Sequence, residues 1–130
     1  MLANVVTALL LIIGLINFVP IIGVSSKDRL RALYGVQVDS ENLLILMQHR
    51  ALLFGVIGIF LMYAAFQPAL QVAAFAMGLA SMLGFIIIAC QVGNLNEELK
   101  RAVVIDSIAL LSLLIALTLF IIDYWLANVE

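Results

Sequence analysis

Apolar residues in this chain fall into four long runs, over 2–24, 42–66, 69–92 and 101–126, separated by short polar stretches. A helix needs about 20 apolar residues to cross the hydrocarbon core of a bilayer, and each run reaches that length. The pattern predicts an all-α chain: one membrane-embedded antiparallel four-helix bundle, with a short interfacial helix between the first two runs.

Local signals mark the ends of these runs. Pro20 removes a backbone donor near the end of the first run, so its helix should kink there or stop at Val19. Asn17 lies about one turn earlier, where a polar amide is expected to hydrogen-bond to a neighbouring helix. In the stretch SSKDRLRALYGVQVDSE, Ser25 or Ser26 can cap a helix and Gly35 can end it. Leu30, Leu33 and Tyr34 form its apolar side, with Lys27, Asp28, Arg29 and Arg31 on the rest. Lys27, Arg29, Arg31 and Tyr34 are therefore expected at the headgroup level, as lipid or partner contacts or simply as a solvated connector.

The second run opens after Asp39-Ser40-Glu41, an acidic start suited to a helix N-terminus. It ends at Gln67-Pro68, a connection so short that the third run must return beside it, with proline as its first helical residue. Ala51, Gly55 and Gly58 share a face of the second run, and Ala74 with Gly78 and Ala80 with Gly84 do so on the third. Small residues at this spacing let helix backbones approach closely, so these two faces are expected to meet. GNLNEELK, over 93–100, reads as a polar connection, with the last helix starting at about Arg101 and Asp123, Tyr124 and Trp125 marking the far interface.

Composition narrows the class. The chain is 66% hydrophobic and 11% charged, with a mean hydropathy of +1.27, which leaves too little charge to cover a soluble domain. A net charge of −2 with no basic stripe argues against a nucleic-acid partner. Cys90 is the one cysteine, so an internal disulfide, a Cys/His zinc site and a CxxC centre have no basis. The first run lacks a basic leader and a small-residue cleavage site and is expected to remain as a helix. Lys27, Arg29, Arg31, Lys100 and Arg101 all belong to the first and third connections. The excess of basic residues on cytoplasmic loops then places both termini on the periplasmic side.

Polar residues inside the runs supply the candidate chemistry. Gln48, His49 and Arg50 interrupt the second run, and Asp106 lies within the fourth. At the helical rise, Arg50 stands roughly 10 Å past Leu43 and Asp106 roughly 5 Å past Val103, in the same leaflet of an antiparallel bundle. Asn17, Gln48, His49, Arg50, Gln91 and Asp106 can thus converge at one level, with Arg50 and Asp106 as a natural ion pair. The pair has a structural reading, fixing helix register, and a functional one, anchoring a ligand. His49 suits a hydrogen bond to a neighbouring helix, a proton shuttle or a metal; the last has least support, because no second soft ligand matches it. No cofactor motif is present.

The segments Arg31-Ala32-Leu33-Tyr34-Gly35 and His49-Arg50-Ala51, the second opening HRALLFGVIG, resemble small bacterial four-helix membrane proteins of the DoxX-like group, DUF4345-type proteins included. The resemblance covers most of the chain. It implies the bacterial inner membrane and a setting near quinone-linked redox systems, without transferring an activity.

Three function classes follow. The first is a non-catalytic binder of a lipid-like or quinone-like molecule, or an accessory subunit of a larger membrane complex, alone or as a homo-oligomer. The second is a small-solute or proton-coupled transporter acting as an oligomer, although the first run lacks the carboxylate on which small multidrug exporters depend. The third, an enzyme, fits worst. Vitamin K epoxide reductase-like chemistry needs paired cysteines, and haem or di-metal chemistry needs more ligands than one histidine.

Overall fold

In the computed structural model, which describes residues 1–129, helix follows helix, with no strand among the described residues. Helix α1 spans Leu2–Phe18, and a 3-10 segment, Val19–Val24, continues it. Then come α2 (Lys27–Tyr34), α3 (Glu41–Ala64), α4 (Pro68–Val92) and α5 (Glu97–Val129). Four stretches, Leu2–Val24, Glu41–Ala64, Pro68–Val92 and Glu97–Asn128, are long and apolar enough to cross a membrane.

The boundaries have local causes. Pro20 sits at the start of the 3-10 segment, where its missing donor breaks the α-helical ladder and the chain tightens. The Ser26 hydroxyl accepts from the Arg29 N–H at 3.3 Å and caps α2. Gly35 ends α2 at φ +62°, a left-handed conformation that suits glycine, and donates its N–H to the Arg31 carbonyl at 2.7 Å. Ser40 caps α3 by accepting from the Leu43 N–H at 3.1 Å. At the α3–α4 turn, the Ala65 carbonyl accepts from Thr7 of α1 at 3.1 Å and from Gln71 of α4 at 3.5 Å. Those side chains satisfy a carbonyl left without a helical donor.

Helix α5 starts about one turn before the expected Arg101. The Asn96 side chain accepts from the Leu99 N–H at 2.8 Å, and Glu97 and Glu98 occupy the first turn, where carboxylates favour the helix dipole.

The long helices form a ring. The α1 backbone lies beside those of α3 and α5, and the α4 backbone beside the same two, so that α1 is diagonal to α4 and α3 to α5. Val6, Leu10 and Ile13 of α1 form the central core with Leu61 of α3, Phe75 and Met82 of α4, and Ala109, Leu113 and Ala116 of α5. The rings of Phe75 and Phe120 stack at 5.5 Å between centroids, tilted by 51°. The outer faces stay apolar, with Ile12, Leu15, Leu53, Val56, Ile59, Ile108 and Leu111 all exposed.

One expectation about packing is corrected. The small-residue face of α3 meets α1 and the 3-10 segment instead of α4. A Cβ at Gly58 would stand 2.6 Å from the Gly14 carbonyl oxygen, one at Gly55 would strike Ile21, and the Ala51 methyl lies beside Gly23. Gly14 opposite Gly58 lets these two backbones come together, a complementarity that α4 does not offer. On α4, Gly78 packs against Leu113 of α5 and Leu61 of α3, while Gly84 has nothing within 4 Å of where its Cβ would be. The matching pairs run in opposite order along the two segments: Thr7 with Ala65, Gly14 with Gly58, Gly23 with Ala51, and Val24 with Gln48.

α2 packs on one end of the bundle. Lys27, Arg29 and Arg31 are exposed, and Leu30 and Tyr34 are buried against the bundle. They join Ala51 in a small second core that includes Leu33, Met47 and Leu99 at its edge. The apolar side of α2 has a protein surface to cover, the end of the bundle beside the 3-10 segment.

Candidate functional site

The end of the bundle that α2 covers also holds the starts of α3 and α5, and a cavity of about 370 Å³ opens there. Its wall takes Ile16 and Asn17 from α1, Val19 and Pro20 from the 3-10 segment, and Ala32, Leu33 and Tyr34 from α2. Arg50 and Phe54 come from α3, Phe85 from α4, and Glu98, Arg101, Ala102, Ile105 and Asp106 from α5.

Arg50 is the centre of this arrangement. Its guanidinium carbon lies 5.1 Å from the centroid of the Tyr34 ring, 5.1 Å from that of Phe54 and 4.8 Å from that of Phe85. Phe54 follows Arg50 by four residues and so shares its helix face, while α2 and α4 bring the other two rings. Each such contact is worth about 0.5–2 kcal/mol, depending on desolvation. The delocalised guanidinium is less strongly hydrated than an ammonium, so it is the cation that a cage of rings holds best.

The expected Arg50–Asp106 ion pair is not formed. Among the described residues one ion pair is closed within 4 Å, Lys100 with Glu97 at 2.8 Å, and it is exposed. Both Arg50 and Asp106 line the cavity, and the guanidinium lies among three rings, not within 4 Å of the carboxylate. No side-chain hydrogen bond among the described residues engages Arg50 either, so its donor edges are free to face the cavity.

The other residues singled out in the sequence divide. Asn17, Arg50 and Asp106 line the cavity together, joined by Tyr34. Asn17 is buried and donates its amide to the Ile13 carbonyl at 3.1 Å, within its own helix and not to a neighbour. Gln48 lies off the wall and donates to the Val24 carbonyl at 2.9 Å, tying α3 to the end of the 3-10 segment. His49 and Gln91 are exposed and off the wall as well. A helix turns about 100° per residue, so placing Arg50 inward sends His49 outward. Among the described residues, no three His, Cys, Asp or Glu side chains gather as a metal site.

Tyr34 carries a second feature. Its hydroxyl is buried without a hydrogen-bond partner. Burial pushes the phenol above its ordinary 10.0, against the opposing pull of the Arg50 guanidinium.

Glu98 and Arg101 are wall residues that the reading of the sequence left out of the site. The sign was present: 98, 101, 102, 105 and 106 recur at i, i+3, i+4, i+7 and i+8, one stripe of a helix. It becomes visible only once the helix starts at Glu97, which the Asn96 cap dictates. Asn96 also donates to the Tyr34 carbonyl at 2.9 Å and so ties the start of α5 to the end of α2.

No family model, curated protein or solved structure matches this chain.

Proposed function

We propose that this chain is an integral membrane protein of the bacterial inner membrane, an antiparallel four-helix bundle that holds a lipid-like or quinone-like molecule without transforming it. The single observation that carries the reading is Arg50, caged by three rings, with no ion pair closed within 4 Å, and facing a cavity of about 370 Å³. That volume suits a small head group, since small-molecule sites run from about 300 to 1,000 Å³. A guanidinium only donates hydrogen bonds, so the occupant must bring an acceptor oxygen: a carbonyl, a carboxylate or a phosphate. The wall sets Ile16, Val19, Leu33, Phe54, Phe85 and Ile105 beside its charged side chains, a mixture that suits an amphipathic molecule.

Embedding is supported by apolar side chains that cover the outside of the bundle, where water would disfavour them. The opposite order of contacts between α1 and α3 supports the antiparallel arrangement. The DoxX-like resemblance enters this reading through its two segments, which supply Tyr34 and Arg50 to one cage.

The test is to identify what co-purifies. Protein extracted in mild detergent is expected to carry an amphipathic molecule detectable by native mass spectrometry, and Arg50→Gln is expected to cut its occupancy about tenfold. A folded Arg50→Gln protein with undiminished occupancy would refute the assignment.

Orientation is a separate expectation. Lys27, Arg29 and Arg31 are exposed at the α2 end of the bundle, so that end is assigned to the cytoplasm and both termini to the periplasm. In a Cys90→Ala background, cysteines at Met1 and Asn128 should react with an impermeant thiol reagent added outside spheroplasts. Reaction only after lysis would invert the topology.

A further inference from the structure

A second chamber, of about 520 Å³ and more open than the first, lies on the far side of the Arg50 cage. Arg50, Phe54 and Phe85 line both chambers, so the two adjoin at the cage. The two sides differ in chemistry. Asn17, Glu98, Arg101 and Asp106 all stand on the first chamber. Apart from the shared arginine, the second has Ser81 as its one polar side chain, with Ala80, Gly84, Ile88 and Leu99 among its apolar walls. Ala80 and Ile88 are exposed, so this chamber opens on the outer surface of the bundle between α3 and α4. Gly84 leaves a bare stretch of α4 there, with nothing within 4 Å of its absent side chain.

We infer that the two chambers are halves of one site for a single-chain amphiphile, whose head meets Arg50 in the charged chamber and whose chain lies in the second. The molecule reaches the site sideways, between α3 and α4, without leaving the membrane. The inference rests on the proposed function and adds the chain, its place and its route. A polar head alone would leave the second chamber with no use, and a chain alone would leave the donors of Arg50 without an acceptor. A molecule with both satisfies the two adjoining chambers.

The experiment compares each probe with itself across variants, so partition into detergent cancels. The probes are decylubiquinone against duroquinone, which lacks the chain, and oleoyl lysophosphatidate against butyl phosphate; the pair that responds identifies the head. Gly84→Phe places a ring in the second chamber without meeting the backbone, and Ala80→Phe does so from the same wall. Both variants are expected to weaken the responding chain-bearing probe about tenfold, read by native mass spectrometry and ligand-induced thermal shift, and to leave its chainless counterpart within about twofold. Arg50→Gln is expected to weaken both members of that pair. Chain-bearing probes bound equally by wild type, Gly84→Phe and Ala80→Phe would overturn the chain site, while a loss in Arg50→Gln would keep the head site. Equal weakening of chained and chainless probes by Gly84→Phe would likewise overturn it. If no probe binds the wild-type protein, the proposed function falls and the inference with it.

Discussion

Gly58→Leu is expected to cost the bundle about 3 kcal/mol or more, whereas Gly84→Leu should change its stability by less than about 0.5 kcal/mol. The contrast follows from what each side chain would meet. A Cβ on Gly58 would lie 2.6 Å from the Gly14 carbonyl oxygen, 2.7 Å from the Phe18 nitrogen and 2.9 Å from the Phe18 Cα. All three are backbone atoms of the neighbouring helix, so no rotamer change relieves the clash and α1 must move away from α3. Separation would open the close-packed seam between these two helices, whose small residues let the backbones touch. Gly84 has open space where Gly58 has backbone. The check is thermal melting in detergent followed by circular dichroism. Equal melting temperatures for the two variants would mean that the α1–α3 seam does not hold the bundle together.

The second large effect is expected at Arg50. In double-mutant cycles on stability, Arg50→Met with Phe85→Leu should show a coupling of about 1 kcal/mol, and Arg50→Met with Phe54→Leu a similar one. Coupling between Arg50 and Asp106 should be smaller than either, because the guanidinium rests on rings and closes no ion pair with the carboxylate. An ion pair would give the reverse order, with each single charge deletion worse than the double. Tyr34 separates ring from hydroxyl. Tyr34→Phe keeps the ring over Arg50 and removes a buried hydroxyl that has no partner, so stability should hold or rise by about 1 kcal/mol. Tyr34→Leu removes the ring and should lower it. A dominant Arg50–Asp106 coupling, or a large loss from Tyr34→Phe, would contradict the cage.

What could be read from the sequence was local or depended on length. Four runs long enough to span a bilayer, the Pro20 break, the Ser26 and Ser40 caps, the Gly35 terminator and Pro68 at the head of α4 all act through atoms within a few residues. Asn96 is of the same kind, and its cap before Glu97-Glu98 would have extended α5 and disclosed Glu98 and Arg101. Asn17, Arg50 and Asp106 were legible as a group because polar groups within apolar runs are costly and gather where they find company.

Tertiary structure alone decided which surfaces meet. In a soluble helix the polar face names the outside, but here outward-facing and buried positions are both apolar. Val56 and Leu53 are exposed while Leu61 on the same helix is buried, and hydropathy does not separate them. Hence the glycine face of α3 gave no sign that it would choose Gly14 of α1 over α4. The partner of Arg50 was hidden for a related reason: charge favours Asp106, but the choice depends on where three rings from α2, α3 and α4 come to rest. Such contacts join segments far apart in the chain, and only their shapes in three dimensions set which ones form.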